Sequence, residues 1–321
     1  MRSTRVAAGI CVIFLFSATA FAQTGPALLI QPLLDEKEVW ESHGDAFLQL
    51  GQGSTSNGGA DFRMNVFQDQ GRVREQREKF IPRLGWDVAY YDIHSNDPAL
   101  KKSLTDVSVA AGVELGEYFD WRAGLTLGLG YAGDTPFGQS DAWYGKGTLV
   151  VGRSFDKQTD AAFVLDYDGN RSVFPDIPLP GFEYRHQYDP TLTYVVGFPV
   201  NDLIWKPNDV ISLDVMWTFI DTFDARLEYK LAPKWVVFGN YLNRRDAFHS
   251  DALHGVDRLL FQQHRAEIGI RWKPLESTSF LLAAGYSFGG EFSSGWSQTR
   301  SDLVADISDE PYVRIGFERR F

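Results

Sequence analysis

The stretch TFDARLEYKL, which runs from Thr222 to Leu231, alternates between two kinds of side chain. Every second residue is apolar or aromatic, and the residues between them are all charged: Asp224, Arg226, Glu228 and Lys230. In a helix, charges of like sign would lie four residues apart and repel each other. In a strand, the apolar groups share one face and the charges share the other. The stretch therefore predicts a β-strand between an apolar and an ionic environment.

Alternating segments of this kind recur from about residue 46 to the C-terminus, and we count fourteen of them. The connections on one side are short, such as KPND and LAPK, and those on the other side are mostly long. Short periplasmic turns and long extracellular loops are typical of outer-membrane barrels. The pattern predicts an all-β fold, a closed antiparallel transmembrane β-barrel of about 12–14 strands. Two of the predicted long loops span 168–190 and 243–258, and the first either folds into the barrel or lies outside it.

The segment WRAGLTLGLGY, from Trp121 to Tyr131, gives a check on dimensions. Its aromatic ends lie ten residue steps apart, which is about 33 Å along a strand. A strand tilted by about 40° would then cover about 25 Å of height, the thickness of the apolar band of such barrels. Leu127 faces lipid and Thr126 faces the interior in this interpretation. A soluble secreted β-sandwich is the alternative fold, and it gives no reason for short and long connections to segregate.

The N-terminus has the features of a secretory signal peptide. Arg2 and Arg5 precede an apolar run of eleven residues, from Val6 to Phe16. This run is too short to span a bilayer as a helix. The small-x-small pattern at Ala20–Ala22 is typical of a signal-peptidase cleavage site. Export of the protein is therefore predicted.

We predict three parts of the chain: a signal peptide at 1–22, a periplasmic N-terminal tail at 23–43 and an outer-membrane barrel at 44–321. The one cysteine, Cys11, lies in the predicted signal peptide, so the mature chain would have no disulfide. The net charge of −11 is opposite in sign to that of proteins that bind nucleic acid, so no nucleic-acid partner is predicted.

The chain ends in PYVRIGFERRF. Four of its residues share one face at period two: Val313, Ile315, Phe317 and Phe321. This pattern resembles the C-terminal assembly signal of bacterial outer-membrane barrels, although Arg319 stands where an apolar residue is usual. The resemblance implies that the barrel-assembly machinery is a partner.

Five stretches together resemble a family of uncharacterised bacterial outer-membrane barrels, a domain of unknown function. They are IPRLGWDVAYYD (Ile81–Asp92), DAWYGKGTLVVGRSFD (Asp141–Asp156), VFPDIPLPGFEYR (Val173–Arg185), LIWKPND (Leu203–Asp209) and GYSFGGEF (Gly285–Phe292). The resemblance covers roughly 81–321, and the Pro-rich stretch followed by LIWKPND is its most specific part. It implies a barrel in the outer membrane of a Gram-negative bacterium, and it implies no activity.

The ionic faces of the predicted strands would point into the barrel. The predicted lumen-facing residues are Arg122, Lys146, Asp224, Arg226, Glu228, Lys230, Arg265, Glu267 and Arg271. Such charges either line a water-filled pore or pair with one another in a filled interior. Fold analogy favours a porin-like or small-molecule transport channel, in contact with outer-membrane lipid and small solutes. The alternative is a structural or adhesive barrel with a plugged lumen.

Residues that could carry catalysis or bind a metal are sparse. His249 and His254 lie in FHSDALHGVD at a spacing that fits no standard zinc site. Ser250 and Asp251 adjoin His249, but neighbours in sequence rarely form a triad, because their side chains diverge. His264 falls on an apolar face near a strand end, which is typical of an interfacial residue. We predict no enzymatic activity and no cofactor, with a barrel-rim hydrolase as the alternative.

Overall fold

The computed structural model describes residues 24–25, 27–30, 40–74, 83–218, 222–251 and 257–320. One four-residue helix, α1 (Ala27–Ile30), and a 3-10 turn at Ser140–Ala142 are the helical elements of these residues. The strands are β1 (Trp40–Gln49), β2 (Gly53–Ser54), β3 (Asp61–Arg74), β4 (Arg83–Ser95), β5 (Ser103–Tyr118), β6 (Trp121–Gly133), β7 (Trp143–Ser154), β8 (Thr159–Asp168), β9 (Leu179–Asp189), β10 (Leu192–Phe198), β11 (Val200–Trp205), β12 (Ile211–Thr218), β13 (Phe223–Ala232), β14 (Trp235–Phe248), β15 (Arg258–Leu275), β16 (Thr278–Ser297), β17 (Arg300–Ile307) and β18 (Glu310–Arg320). Among the described residues, no α-helix is long and apolar enough to cross a membrane.

Antiparallel pairing joins the strands into a closed ring. β1 pairs with β3 on one side and with β18 on the other, so the first strand meets the last. β3 to β16 pair in chain order, and β16 pairs with both β17 and β18. β1 with β2, and β17 with β18, each form one interrupted strand, so the ring has sixteen strands. The predicted closed antiparallel β-barrel is confirmed, and the alternative of a β-sandwich is wrong.

The strand number exceeds the predicted value of about 12–14 for two reasons. Leu179–Asp189 forms β9, although it was predicted to belong to the loop at 168–190. The segment 192–205, predicted as one strand, forms β10 and β11 with Pro199 between them. Proline has no backbone N–H to donate to a ladder, so the run of apolar residues breaks there.

The two ends of the barrel have different connections. Trp40 and Arg320, at the outer limits of the first and last strands, lie at the same end. Most connections at that end are short, as at 119–120 and 233–234, although 75–82 joins β3 to β4 there. At the opposite end the connections include 96–102 and 169–178, together with the short ones at 199 and 298–299. Short turns and longer loops are therefore segregated with these exceptions. The loop predicted at 243–258 is shorter than expected, because β14 continues to Phe248 and β15 begins at Arg258.

The outer face of the barrel is apolar over much of its height. Leu127 is 61% exposed and Ile268 is 66% exposed, whereas Thr126, next to Leu127, is fully buried. Successive residues of a strand point to opposite faces, so Leu127 stands outside the ring and Thr126 inside it. The face assignment predicted from the sequence for this strand agrees with the structure.

Aromatic side chains form two rows on the outer face. In the row near the chain termini, adjacent rings lie 5.3 to 5.9 Å apart between centroids: Trp235, Trp272, Phe280 and Phe317. The row toward the opposite end comprises Phe223, Tyr241, His264 and Phe288. Trp272 and His264 are eight residue steps apart, which corresponds to about 21 Å of height at a tilt of about 40°. His264 thus lies in an aromatic row, and its ring contacts the Tyr241 hydroxyl at 2.8 Å.

Some predicted features lie outside the described residues: the signal peptide at 1–22, His254 and the terminal Phe321. β1 begins at Trp40, so the predicted start of the barrel at 44 is four residues late. The remaining residues of the predicted assembly signal lie in β18, where Ile315 is 53% and Phe317 is 38% exposed on the outer face.

Candidate functional site: the barrel interior

The predicted lumen-facing residues occupy two environments. Five of them are buried: Asp224, Arg226, Arg265, Glu267 and Arg271. Lys146 and Glu228 are held in ion pairs, with Lys146 Nζ 3.0 Å from Asp168 Oδ2 and Glu228 Oε1 2.6 Å from Arg271 Nη1. Arg122 and Lys230 are instead exposed at the rim near the chain termini, because they lie next to the short turns where the strands leave the ring.

Arg314 is the centre of a buried ionic cluster. Its guanidinium donates to both carboxylate oxygens of Asp45 at 2.8 Å and to Glu267 at 2.6 Å. The Tyr312 hydroxyl donates to the other oxygen of Glu267 at 2.9 Å. The side chains of Arg314, Asp45 and Glu267 are each at most 5% exposed. Glu267 (β15) and Arg314 (β18) meet across the intervening β16, so the cluster lies on the inner side of the ring.

A second cluster spans the interior between β4 and β14. Arg244 Nε donates to the Tyr91 hydroxyl at 2.7 Å and to Asp246 at 2.6 Å. Tyr91 in turn donates to Asp246, and its ring packs against Phe248 and Phe261 at 5.4 and 5.5 Å between centroids. Five strands of the ring separate β4 from β14 on the shorter path. These contacts therefore cross the lumen.

At the end away from the termini, β6 and β14 touch directly. Gly133 and His249 form an isolated parallel bridge. Its hydrogen bonds run from Asp134 N to His249 O at 3.1 Å and from His249 N to Ala132 O at 2.9 Å. Seven strands separate β6 from β14 in either direction around the ring. The bridge thus joins opposite walls and divides this end of the interior in two.

The loop after β8 covers the bridge. Asn170 donates to Asp106 Oδ2 at 3.2 Å and to the Ala247 carbonyl at 3.0 Å, and it accepts from Arg258 at 3.2 Å. Asp106, Ala247 and Arg258 belong to β5, β14 and β15. The first part of the loop predicted at 168–190 therefore folds over the interior, while its second part forms β9.

The bridging residue His249 lies beyond the membrane-facing part of β14. Burial lowers the pKa of its imidazole below the ordinary value, and the nearby Arg258 charge acts in the same direction, while Asp141 and Asp176 oppose them. The Ser250 hydroxyl donates to Asp134 at 2.6 Å, and Asp251 accepts from Gln139 at 2.8 Å. These side chains turn to separate partners, so the geometry gives no support to a rim triad. Within the described ranges, no three His, Cys, Asp or Glu side chains are grouped to hold a metal ion.

One side of the bridge, which we call the crowded half, is filled with side chains from β14 to β18 and β1 to β6. Its large buried residues include Phe47, Phe62, Tyr91, Leu104, Phe248, Phe261, Phe292 and Tyr312. Arg265 is buried here without a salt bridge among the described residues, and its guanidinium lies 4.3 Å from the centroid of the Phe47 ring. Apolar packing and stacked arginines thus occupy this half.

The other side, which we call the accessible half, is lined by the inner faces of β9 to β12. Its outward residues are exposed and aromatic or apolar, such as Phe182 at 48% and Val196 at 53%. Six inward residues are half-buried: Glu183, Arg185, Val195, Asp202, Ile204 and Asp214. Three others on the same faces are buried: Thr193, Val200 and Met216. The carboxyl groups of Asp202 and Asp214 share a hydrogen bond.

The described part of the predicted periplasmic tail lies inside the barrel. Thr24 and Leu28 are fully buried, and Leu29 is 6% exposed. The Thr24 hydroxyl is 3.0 Å from the Ser108 hydroxyl of β5, and Leu29 packs with Val150 of β7. Thr24, Leu28 and Leu29 thus lie against the inner wall, which offers an apolar surface that the sequence pattern of the strands did not reveal, whereas the sequence predicts a periplasmic tail at 23–43.

Several interior residues were missed by the sequence analysis. Glu183 and Arg185 lie in a segment predicted as a loop, although EYRHQY alternates between polar and aromatic side chains and could have indicated a strand. Tyr91 and Arg244 gave no signal, since they become partners only when distant strands meet. Leu28 and Leu29 lie in a short apolar run that has no periodicity.

No family model matches the chain, and no curated protein matches it. Among solved structures, the chain is similar to the translocator domain of autotransporter NalP from Neisseria meningitidis, with 13% identity over 91% of this chain and 92% of that chain and a TM-score of 0.31. It is also similar to the Pseudomonas putida toluene transporter TodX, with 8% identity over 88% and 89% and a TM-score of 0.37. A Pseudomonas aeruginosa FadL homologue is 10% identical over 88% and 89%, with a TM-score of 0.38.

Proposed function

We propose that the protein is an outer-membrane channel for small hydrophilic solutes, which pass through the accessible half of the barrel. The observation that carries the proposal is the half-buried state of six inward residues of β9 to β12, among them Val195 and Ile204. In the crowded half the apolar inward side chains Tyr91, Phe261 and Phe292 are completely buried, whereas the apolar inward side chains Val195 and Ile204 of the accessible half keep accessible surface. This difference supports a space beside β9 to β12, and the polar groups there suit water.

The outer face supports a position in the membrane. A soluble protein rarely exposes apolar patches larger than a few hundred Å², yet Leu127, Leu227 and Leu282 each expose more than half of their surface. They belong to three separate strands of the ring, so the apolar surface is a belt rather than a patch. Aromatic rows at both edges of this belt are typical of outer-membrane barrels. Export through cleavage of residues 1–22 is part of the proposal, and N-terminal sequencing that begins at Gln23 would support it.

The charges of the accessible half favour cationic over anionic solutes. The inward ionisable residues along β9 to β12 include Glu183, Asp202, Asp214 and Arg185. The hydrogen bond between Asp202 and Asp214 requires one proton, so this pair carries a single negative charge. Rings of acidic side chains select cations in aqueous pores. The second candidate function, a structural barrel with a plugged lumen, is favoured by the packing of the crowded half.

Conductance separates the two functions. Purified protein reconstituted in planar bilayers should show single-channel currents, with a reversal potential in a KCl gradient that indicates cation preference. Asp202→Asn and Asp214→Asn together should move the reversal potential toward zero, whereas Asp92→Asn, at a site outside the accessible half, should not. The absence of currents from folded, inserted protein would reject the channel and leave the structural barrel.

An arginine scan tests the membrane position itself. Leu127→Arg should cost about 2–4 kcal/mol of folding free energy in vesicles, because an arginine near the bilayer midplane lacks water. The same change at Ala123, two residues after the start of β6, should cost less, since the side chain reaches the interface there. A penalty that does not vary along Ala123, Leu125, Leu127 and Leu129 would contradict a membrane-embedded outer face.

A further inference from the structure

The short helix α1 of the N-terminal segment Thr24–Ile30 contacts three adjacent strands of the inner wall, β4, β5 and β6. Arg83 of β4 donates to the carbonyl oxygens of Leu28 and Leu29 at 3.3 and 3.0 Å. This guanidinium caps the C-terminal end of α1, where carbonyl groups have no partner within the helix. Arg83 also pairs with Glu114 at 2.7 Å, so the cap is held in position by the neighbouring strand β5.

The wall beneath the segment is shaped to receive it. A Cβ atom added at Gly112 or Gly124 would lie 3.2 Å from a Leu29 methyl carbon, so any larger side chain there would displace the leucine. Val150, Ala162 and Val164 complete the apolar contact with Leu29. We call these five wall residues the leucine socket. Inward positions of a water-filled barrel are usually polar, and the apolar character of the socket is explained by the leucine that it holds.

The socket lies close to the accessible half and near the end that carries the chain termini. Val150 is four residues before the end of β7, and Ala162 is three residues after the start of β8. β8 adjoins β9, the first strand of the accessible half. A segment seated in the socket therefore lies at the boundary between the two halves, beside the terminal end of the space proposed as the passage.

A helix of four residues has little stability of its own. Among its described residues, the segment is held by the burial of Leu28 and Leu29, by the Arg83 cap and by the contact between the Thr24 and Ser108 hydroxyls. A nine-residue connection, 31–39, joins it to β1, and nine residues can span at most about 30 Å. A released segment would stay tethered beside the terminal end of the proposed passage and could return.

We propose that Thr24–Ile30 is a removable plug, seated by Leu28 and Leu29 in the leucine socket, that closes the periplasmic mouth of the accessible half. The plug rests on the proposed channel function, because a plug needs a passage to close. Independently of that function, we expect the segment to exchange between the socket and water, in an equilibrium set by Leu28 and Leu29.

A disulfide lock tests the closure. Thr24 and Ser108 hydroxyls are 3.0 Å apart, so Thr24→Cys with Ser108→Cys places two thiols within reach of each other, and the predicted mature chain contains no other cysteine. The oxidised double variant should conduct poorly, and reduction should restore the current of the unmodified protein. The single variant Thr24→Cys, which cannot form the intramolecular bond, is the matched control. Equal currents before and after reduction in a conducting barrel would overturn the plug and leave the channel intact.

A labelling experiment tests the exchange without any use of conductance. In the Thr24→Cys protein, a membrane-impermeant maleimide should react slowly, because Thr24 is fully buried. Adding Leu28→Ser and Leu29→Ser should shift the docked-to-free ratio by about 100-fold or more toward the free segment, and labelling should accelerate accordingly. Leu50→Ser, at a leucine that is 64% exposed, is the control and should leave the rate unchanged. If Leu28→Ser and Leu29→Ser left the labelling rate unchanged, the idea that these leucines seat the segment would be refuted. If labelling behaved as expected but no variant conducted, the channel function would fall and the seating would stand.

Discussion

The two halves of the interior differ although the same ring encloses them. In the crowded half, Tyr91, Phe261 and Phe292 are completely buried, whereas Val195 and Ile204 of the accessible half point inward and are only half-buried. A barrel of this width is too large for side chains alone to fill. Contact between opposite walls at β6 and β14 makes one half narrow enough to pack like a protein core. In the other half the inward side chains of β9 to β12 include several that keep accessible surface.

The largest expected difference concerns buried charge. Arg314→Met should lower the free energy of unfolding by about 3–5 kcal/mol, because Asp45 and Glu267 would stay buried without their partner. Arg185→Met, in the accessible half, should cost less than about 1 kcal/mol, since water can reach the groups left behind. Urea unfolding in lipid vesicles measures both values. Similar losses for the two variants would contradict the distinction between the halves.

Apolar truncation should follow the same division. Phe261→Ala leaves a cavity in a packed cluster and should cost about 3–4 kcal/mol. Ile204→Ala removes a side chain that already adjoins accessible space, and it should cost about 1 kcal/mol. The matched pair can be compared by the same unfolding assay. A loss at Ile204 as large as that at Phe261 would show that the accessible half is packed.

Enlargement of a side chain should give opposite readouts in the two halves. Ala89→Trp overpacks the crowded half and should destabilise the barrel by about 1–3 kcal/mol, with little change in the conductance of the folded fraction. Val195→Trp should be tolerated, because the added ring enters accessible space, and it should reduce single-channel conductance. Urea unfolding measures the stability of both variants, and planar-bilayer recording measures their single-channel conductance. An unchanged current in Val195→Trp would show that the passage does not run beside Val195.

The smallest expected effect is the pH dependence of the bridge that separates the halves. The pKa of His249 is lowered in the folded state, by burial first and then by Arg258, so the folded protein binds fewer protons than the unfolded one as pH falls. Stability contributed by this group is present above the unfolded value of about 6.5 and is lost below it. The thermal midpoint should therefore decline between pH 8 and pH 5, and His249→Gln should make the decline shallower. The bridge itself uses backbone atoms of residue 249, so the variant leaves its hydrogen bonds in place. An identical decline in the variant would assign the effect to other groups.

The sequence predicted those properties of the fold that depend on neighbouring residues. Alternation over Trp121–Tyr131 and Phe223–Leu231 identified strands and the faces of their central residues, because side chains alternate across any strand. The division of the interior was beyond such reasoning. Asp45 and Arg314, for example, are 269 residues apart in the chain, and only ring closure brings them together. β9 was missed because the prolines of VFPDIPLPG indicated a loop, and these prolines do precede or begin the strand.

The backbone contact between Gly133 and His249 has a mechanical consequence. A closed β-barrel whose opposite walls do not touch can flatten into an oval cross-section under lateral pressure from the membrane. The backbone bridge between opposite walls opposes this flattening at its own height. The two backbone hydrogen bonds of the bridge therefore restrict the change in cross-section at this end of the barrel.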